Sequence, residues 1–269
     1  MKLSFSNIAW QCTDDDTIHL LLQSLGFDGI EIAPTRWFPH NPYDHIDEAI
    51  LKAQRIESEY GLSVSSIQSI WYSRTEKLFG TRDERQTLLS YTRQAVNFAH
   101  SLQCQNLVFG CPKNRIKPVD ASMDDAISFF YECGVYAAKN NTRISLEPNP
   151  PIYNTNFIND TREAFEFVKL VNCPGFRVNI DLGTMIYYNE PVSLVEKHIE
   201  YVHHVHISEP LLASPSHDDI CENLVRMLAI NEFAGYVSVE MSSSCGLDAV
   251  KQAARKVAGM VLSLRNRRM

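Results

Sequence analysis

The sequence predicts a single α/β domain folded as a (β/α)8 TIM barrel, and three observations carry that prediction. Strand-like and helix-like stretches alternate from end to end. The last four strands share one alternating pattern, each ending in a metal-capable or proton-transferring side chain. The chain has 269 residues, an ordinary length for this barrel. Strict alternation means parallel strands joined by right-handed crossovers. An open doubly wound sheet is the competing architecture, but it would confine its site to one switch point. Here ligand-type residues close strands five, six, seven and eight, and no GxGxxG or Walker A loop argues for the open sheet.

The elements follow in order. Met1 to Asn7 alternates apolar with polar residues and reads as strand one; it lacks the apolar block of a signal peptide. Thr13 to Asp16 starts a helix that Gly26 stops. Gly29 to Pro34 is strand two, followed by a helix to about Gly61, and Val64 to Trp71 is strand three. A long periodic helix from Arg82 to Leu102 leads to strand four, Asn106 to Gly110. Asp120 to Lys139 is helical, and Arg143 to Asn149 is strand five. Asn159, Asp160 and Glu163 begin the next helix in capping fashion, and Phe176 to Asp181 is strand six. A short helix from Val192 precedes strand seven, Val202 to Ile207; Asp218 to Ala229 is helical, Tyr236 to Glu240 is strand eight, and a last helix runs from Leu247 to Leu264.

Composition narrows the function classes. With 45% hydrophobic and 21% charged residues and no Gly/Ser-rich or Pro-rich run, neither disorder nor a linker is indicated, so residues 1–269 form one domain. A net charge of −7 argues against a broad basic face for nucleic acid. The basic tail of Arg265, Arg267 and Arg268 reads as a helix end, where cations suit the dipole. No apolar run approaches the ~20 residues that span a bilayer, so a cytoplasmic protein without a membrane partner is expected. The seven cysteines are scattered and lack CxxC spacing, which fits reduced thiols and argues against a thiolate zinc site.

The strand ends carry the chemistry. In Arg143 to Glu147, Ile144 and Leu146 face one way while Ser145 and Glu147 face the other. Asn179 and Asp181, His204 and His206, and Ser238 and Glu240 repeat the pattern. In a closed barrel all four polar ends point into one mouth. Glu147, Asp181, His206 and Glu240 make three carboxylates and one imidazole without sulfur. That donor set suits one divalent ion, Mn²⁺ first, with Mg²⁺, Co²⁺ or Zn²⁺ as alternatives. An ion that chelates a carbonyl and its neighbouring hydroxyl acidifies the C–H between them. Two opposed carboxylates then remove and return the proton, and Glu147 and Glu240 are the candidates.

The ends Leu146-Glu147-Pro148-Asn149, Ile180-Asp181-Leu182-Gly183-Thr184, His204-Val205-His206-Ile207-Ser208-Glu209 and Val237-Ser238-Val239-Glu240, with Gly29-Ile30-Glu31-Ile32-Ala33-Pro34, resemble the xylose isomerase-like barrel superfamily over essentially the whole chain. The resemblance is greatest to the sugar and sugar-phosphate isomerase/epimerase branch that includes D-tagatose 3-epimerase-like enzymes. It implies a carbohydrate substrate, metal ligation by Glu147, Asp181, His206 and Glu240, and proton exchange by the two glutamates; a homodimer or homotetramer is a candidate assembly. One departure is Thr184, where epimerases of this branch often carry histidine. A threonine hydroxyl can donate a hydrogen bond to substrate but does not titrate near neutrality.

Other residues are candidates of lesser weight. Trp10, Trp37 and Trp71 fall at or past the first three strand ends and either wall a sugar pocket or belong to the core. Gln68 and Asn149 are candidate substrate contacts at strand ends. Lys113 and Arg115, after strand four, either bind a phosphate or carboxylate or are solvated loop cations. His217 either meets substrate or precedes a helix start. His204, a layer deeper than His206, and Glu209 are read as hydrogen-bonded support for the ligands. His203 should face outward, and Glu31 inward without an assigned role. Three other functions compete. A repair nuclease of the endonuclease IV kind needs histidines that strands three and four lack. An inosose dehydratase-like lyase would use the same enolisation. A non-catalytic sugar binder would not need two opposed carboxylates.

Overall fold

Eight parallel strands pair in sequence order and β8 closes on β1, so the sheet has no edge. The computed structural model describes residues 1–266. In order the elements are β1 (Lys2–Ser6), α1 (Asp15–Ser24), β2 (Gly29–Ile32), α2 (Pro34–Trp37), α3 (Ile46–Tyr60), β3 (Ser63–Ile67), α4 (Arg82–Ser101) and β4 (Asn106–Phe109). Then come α5 (Met123–Lys139), β5 (Arg143–Leu146), α6 (Thr161–Val171), β6 (Phe176–Asp181), α7 (Leu182–Tyr187), α8 (Val192–Glu196), β7 (Val202–Ile207), α9 (Asp218–Ile230), β8 (Tyr236–Val239) and α10 (Leu247–Asn266). Of the basic tail, Arg267 and Arg268 lie outside the described residues. No described helix is long and apolar enough to cross a membrane.

The predicted barrel is the observed one, with differences at the strand ends. Strand three was expected to reach Trp71 but stops at Ile67, because Ser69 adopts a left-handed φ of 55° and turns the chain out of the sheet. Glu147 and Glu240 lie one residue past β5 and β8. Their amides still bond to Phe109 O and Ile207 O, each at 3.0 Å, so the ladder extends just far enough to aim them. Two short helices escaped the sequence reading: α2, which was merged with α3, and α7, which begins directly after Asp181, whose carboxylate caps it by accepting from Thr184 N.

The alternation of the strands separates two environments. Leu3, Phe5, Ile30, Ile32, Leu107, Phe109, Ile144, Leu146, Val205 and Val237 are buried against the helices. Phe130 of α5 stacks on Phe176 and meets Phe109 edge-on, fastening that helix to β4 and β6. Each such ring contributes ~1.5–3 kcal/mol by burial. The inner face is polar where such barrels are usually aliphatic. Ser4 Oγ meets Ser65 Oγ at 2.5 Å, Asn106 donates to Ser66 Oγ at 2.9 Å, and Ser145 donates to Asn106 Oδ1 at 2.5 Å. These bonds satisfy side chains that burial would otherwise penalise.

Close packing leaves a test. A Cβ on Gly175, in the turn before β6, would lie 1.9 Å from the carbonyl oxygen of Gly134 on α5. The backbone cannot yield as a side chain can, so Gly175→Ala should lower unfolding stability by at least the ~1–3 kcal/mol of an overpacked core. An unchanged urea midpoint would contradict this contact.

Candidate metal centre

Parallel register sets Asp181 of β6 beside His206 of β7, and His206 beside Ser238 of β8. With Glu147 and Glu240 one residue beyond their strands, the four side chains meet at the carboxyl end of the barrel. Each offers a ligand atom, and these atoms lie within 4.8 Å of one another. His206 Nδ1 is 2.8 Å from Glu147 Oε1 and 3.3 Å from Glu240 Oε2. Its Nε2 is 3.0 Å from Glu31 Oε2 on β2. His204 Nε2 also lies 3.0 Å from that oxygen, though unaligned for a hydrogen bond, and the two imidazoles sit edge to face.

Each candidate ligand has its own supports. Asn179 donates to Glu147 Oε1 at 2.8 Å, and Asn149 donates to Glu147 Oε2 at 3.1 Å. Arg115 in turn donates to Asn149 Oδ1 at 2.7 Å, which fixes the amide with its NH₂ toward Glu147. Asp181 Oδ2 accepts from Thr184 N at 2.8 Å and from Thr184 Oγ1 at 2.7 Å, while Ser208 Oγ donates to Oδ1. Gly110, ending β4, makes room: a Cβ there would stand 2.7 Å from Glu147 Oε2.

The electrostatics follow from four carboxylates and two imidazoles in a dry interior. Burial opposes a charged ring at His206, yet Glu31, Glu240 and Glu147 overcome it and hold the imidazole protonated well above its ordinary range. Burial also pushes Glu31 up, but the charge of His206 and the contacts of both histidines pull it below the carboxylate range. Glu147 likewise falls despite burial, through His206 and Asn149. Burial raises Asp181, with the charge of Glu147 adding to it. Burial raises Glu240 to about 7 against the pull of His206. Negative charge therefore exceeds what one imidazolium can balance. The oxygen-rich quartet with one nitrogen fits a divalent cation, which would take His206 Nδ1 and the three carboxylates as ligands.

Several predicted contacts have other positions. Trp10 is buried against Phe5 and donates to Asp15 Oδ1 at 2.8 Å, tying the β1 loop to α1. Trp71 is buried between Phe109 and Phe129 and donates to Thr92 Oγ1 at 2.8 Å, so it packs toward α4 and not toward the mouth. Trp37 stays half-buried beneath Lys52. Lys113 is exposed. Arg115 is fully buried over the ring of Phe109, which corrects its reading as a solvated cation. Thr184 is fully buried with its hydroxyl committed to Asp181 and Pro148 O, which makes it a brace for the Asp181 carboxylate.

Gln68 is buried and donates to Ser6. Glu209 accepts from the amides of Ser216 and His217 and lies 2.7 Å from His217 Nδ1, so this pair clamps the loop entering α9. His203 points outward to Gln105 O. Sequence reasoning left Glu31, Asn179 and Ser208 without roles, although each shares the inward phase of its strand. A separate cavity of about 280 Å³ lies at the opposite end of the barrel, lined by Lys2, Ser63, Asn106, His203, His204 and Tyr236; it is remote from the quartet's mouth.

Supporting residues should be separable from ligands by titration with Mn²⁺. His206→Ala should abolish binding. Gly110→Ala and Thr184→Ala should each weaken it by about 10- to 100-fold, the range for residues that orient ligands. Undiminished affinity in Thr184→Ala would show that its hydroxyl does not hold Asp181 in place.

Comparison with known proteins agrees with the architecture. No curated protein matches the sequence. Among solved structures, D-psicose 3-epimerase from Clostridium cellulolyticum H10 superposes with a TM-score of 0.76 at 18% identity, covering 99% of each chain. The 3-keto-D-glucoside 4-epimerase of E. coli gives 0.73 at 17% identity, again over 99% of each. A family 2 AP endonuclease from Brucella melitensis gives 0.70 at 21% identity, over 92% of this chain and 97% of its own. Likeness at these identities is a likeness of fold. The model of the xylose isomerase-like TIM barrel family matches residues 20–263, and the chain belongs to that family.

Proposed function

We propose that this protein is a metal-dependent isomerase or epimerase of sugars or sugar phosphates, which moves a proton through an enediolate between Glu147 and Glu240. The observation that carries the reading is the convergence of those carboxylates, from β5 and β8, on the same nitrogen of His206. Two bases aimed at one point from different strands are what removal and return of a proton on different faces of a carbon require. A divalent cation held by Glu147, Asp181, His206 and Glu240, with Mn²⁺ the best match to these donors, would polarise the substrate's carbonyl and adjacent hydroxyl and acidify the C–H between them.

The chain's own residues do the rest. Asn179 and Asn149 hold both oxygens of Glu147, so its remaining lone pairs keep one direction. Glu31 occupies His206 Nε2 and thereby leaves Nδ1 for the quartet. Asp181, fixed by Thr184 and Ser208, completes the negative wall without being free to swing. The nuclease reading finds little support: the ends of β3 and β4 offer Gln68, bonded to Ser6, and Gly110, which has no side chain. Epimerases of psicose, allulose and ribulose among the structural neighbours make ketoses the first substrates to try.

Turnover of D-tagatose, D-fructose or D-fructose 6-phosphate in D₂O with Mn²⁺ should place solvent deuterium on the carbon beside the carbonyl. Glu147→Gln and Glu240→Gln keep an oxygen but remove the base, so each should lose ~10²–10⁴ in rate. Product free of deuterium, or activity within a few-fold of wild type in both variants, would refute the two-glutamate mechanism. Loss of water from the substrate in place of rearrangement would reassign the protein as a lyase.

A further inference from the structure

Above the quartet a single phenol ties the barrel-mouth loops together. Tyr153 ends the short turn Pro151–Tyr153 that follows β5. Its oxygen accepts a hydrogen bond from Leu211 N at 2.8 Å, in the loop after β7. That bond joins the loops of the two strands that supply Glu147 and His206. Next in sequence, Leu212 O accepts from Ser242 N at 2.8 Å, which brings in the loop after β8 that follows Glu240.

The backbone here is strained. Leu211 and Leu212 have φ of 60° and 56°, the left-handed region that residues with a Cβ rarely occupy. Such a conformation costs about 1–3 kcal/mol per residue and persists where surrounding contacts impose it.

The geometry leaves the phenol with one hydrogen to give. Its oxygen already accepts from Leu211, and among the described residues nothing accepts its proton. Burial pushes the hydroxyl well above the ordinary tyrosine range, and the charges of Asp181, Glu147 and Glu240 push it the same way. The oxygen therefore stands within the field of all three carboxylates.

We propose that Tyr153 is a substrate-contacting residue, whose hydroxyl, oriented by Leu211 N, donates a hydrogen bond to an oxygen of the carbohydrate bound at the quartet. This rests on the reading of the site as a sugar isomerase or epimerase. No proton is transferred; the phenol remains neutral while it binds and orients the substrate oxygen. Because the contact is made through a neutral donor, the ligand class is a polyhydroxylated carbonyl compound and needs no anionic group at this point.

The test compares wild type with Tyr153→Phe, full-length and loaded with Mn²⁺, on D-tagatose, D-fructose and D-fructose 6-phosphate. Three readouts are needed: Mn²⁺ affinity, melting temperature, and kcat and KM from deuterium exchange in D₂O. The expected result is kcat/KM lower by about 10- to 100-fold, the scale of one lost hydrogen bond to substrate. Mn²⁺ affinity should stay within two-fold and melting temperature within about 4 °C, the shift that losing the ~1 kcal/mol bond to Leu211 N would give. Unchanged kcat/KM overturns the proposal. A loss of activity that tracks lost Mn²⁺, or a melting temperature lowered by more than about 4 °C, also overturns it, because Tyr153 would then be only a loop anchor. A wild type that binds Mn²⁺ but exchanges no deuterium with any of the three sugars overturns the isomerase reading, and this inference with it.

Discussion

His206 is buried with a carboxylate on each of its ring nitrogens, and the rest of the site is arranged to keep that imidazole where it is. Glu31 lies 3.0 Å from Nε2, and Glu147 and Glu240 face Nδ1 at 2.8 and 3.3 Å. Charges removed from water are tolerated when they are paired and hydrogen-bonded, and breaking one such pair costs ~3–5 kcal/mol. The partners come from β2, β5, β7 and β8, so the barrel must close in one register to assemble them. A slip of one residue in any of these strands would turn its polar side chain toward the helices. The polar interior below, from Ser4 and Ser65 to Asn106 and Ser145, keeps the same phase and so resists such a slip.

The supports around the quartet are unequal, and the inequality has a chemical sense. Asp181 is held by a backbone amide and two hydroxyls, and Glu147 by two amide side chains backed by buried Arg115. Among the described residues the Glu240 carboxylate has one pairing partner, His206. Two carboxylates flanking one point thus differ in freedom and in proton affinity, with Glu147 drawn down and Glu240 raised to about 7. Environments that push paired carboxylates apart are a familiar route to dividing acid and base work between them.

Most of the barrel was legible in the sequence because period-2 patterning reports the environment directly. Ile144 and Leu146 on one side, Ser145 and Glu147 on the other, state which face meets helices and which meets the interior. The same phase places Asp181, His206 and Glu240, and it would have given Asn179 and Ser208 their roles had the whole inward face been followed. Loop residues were less legible. Trp10 and Trp71 look alike in sequence whether they wall a pocket or anchor a loop, and only the partners of their indole nitrogens, Asp15 and Thr92, decide it. Thr184 was read as a substrate contact because it stands where related epimerases often carry histidine, whereas the onset of α7 makes it the residue that Asp181 caps. Tyr153 carries no signal at all, since its neighbour Leu211 is 58 residues away.

The central claim is that one cation belongs at the carboxyl end of the barrel, held by ligands from four successive strands. Crystals soaked in Mn²⁺ and measured near the manganese absorption edge test this without any assumption about substrate. The account predicts one strong anomalous peak within about 2–2.5 Å of side-chain atoms of Glu147, Asp181, His206 and Glu240, as metal coordination requires. A peak at Glu31 and His204 in its place, or none at saturating Mn²⁺, would contradict it.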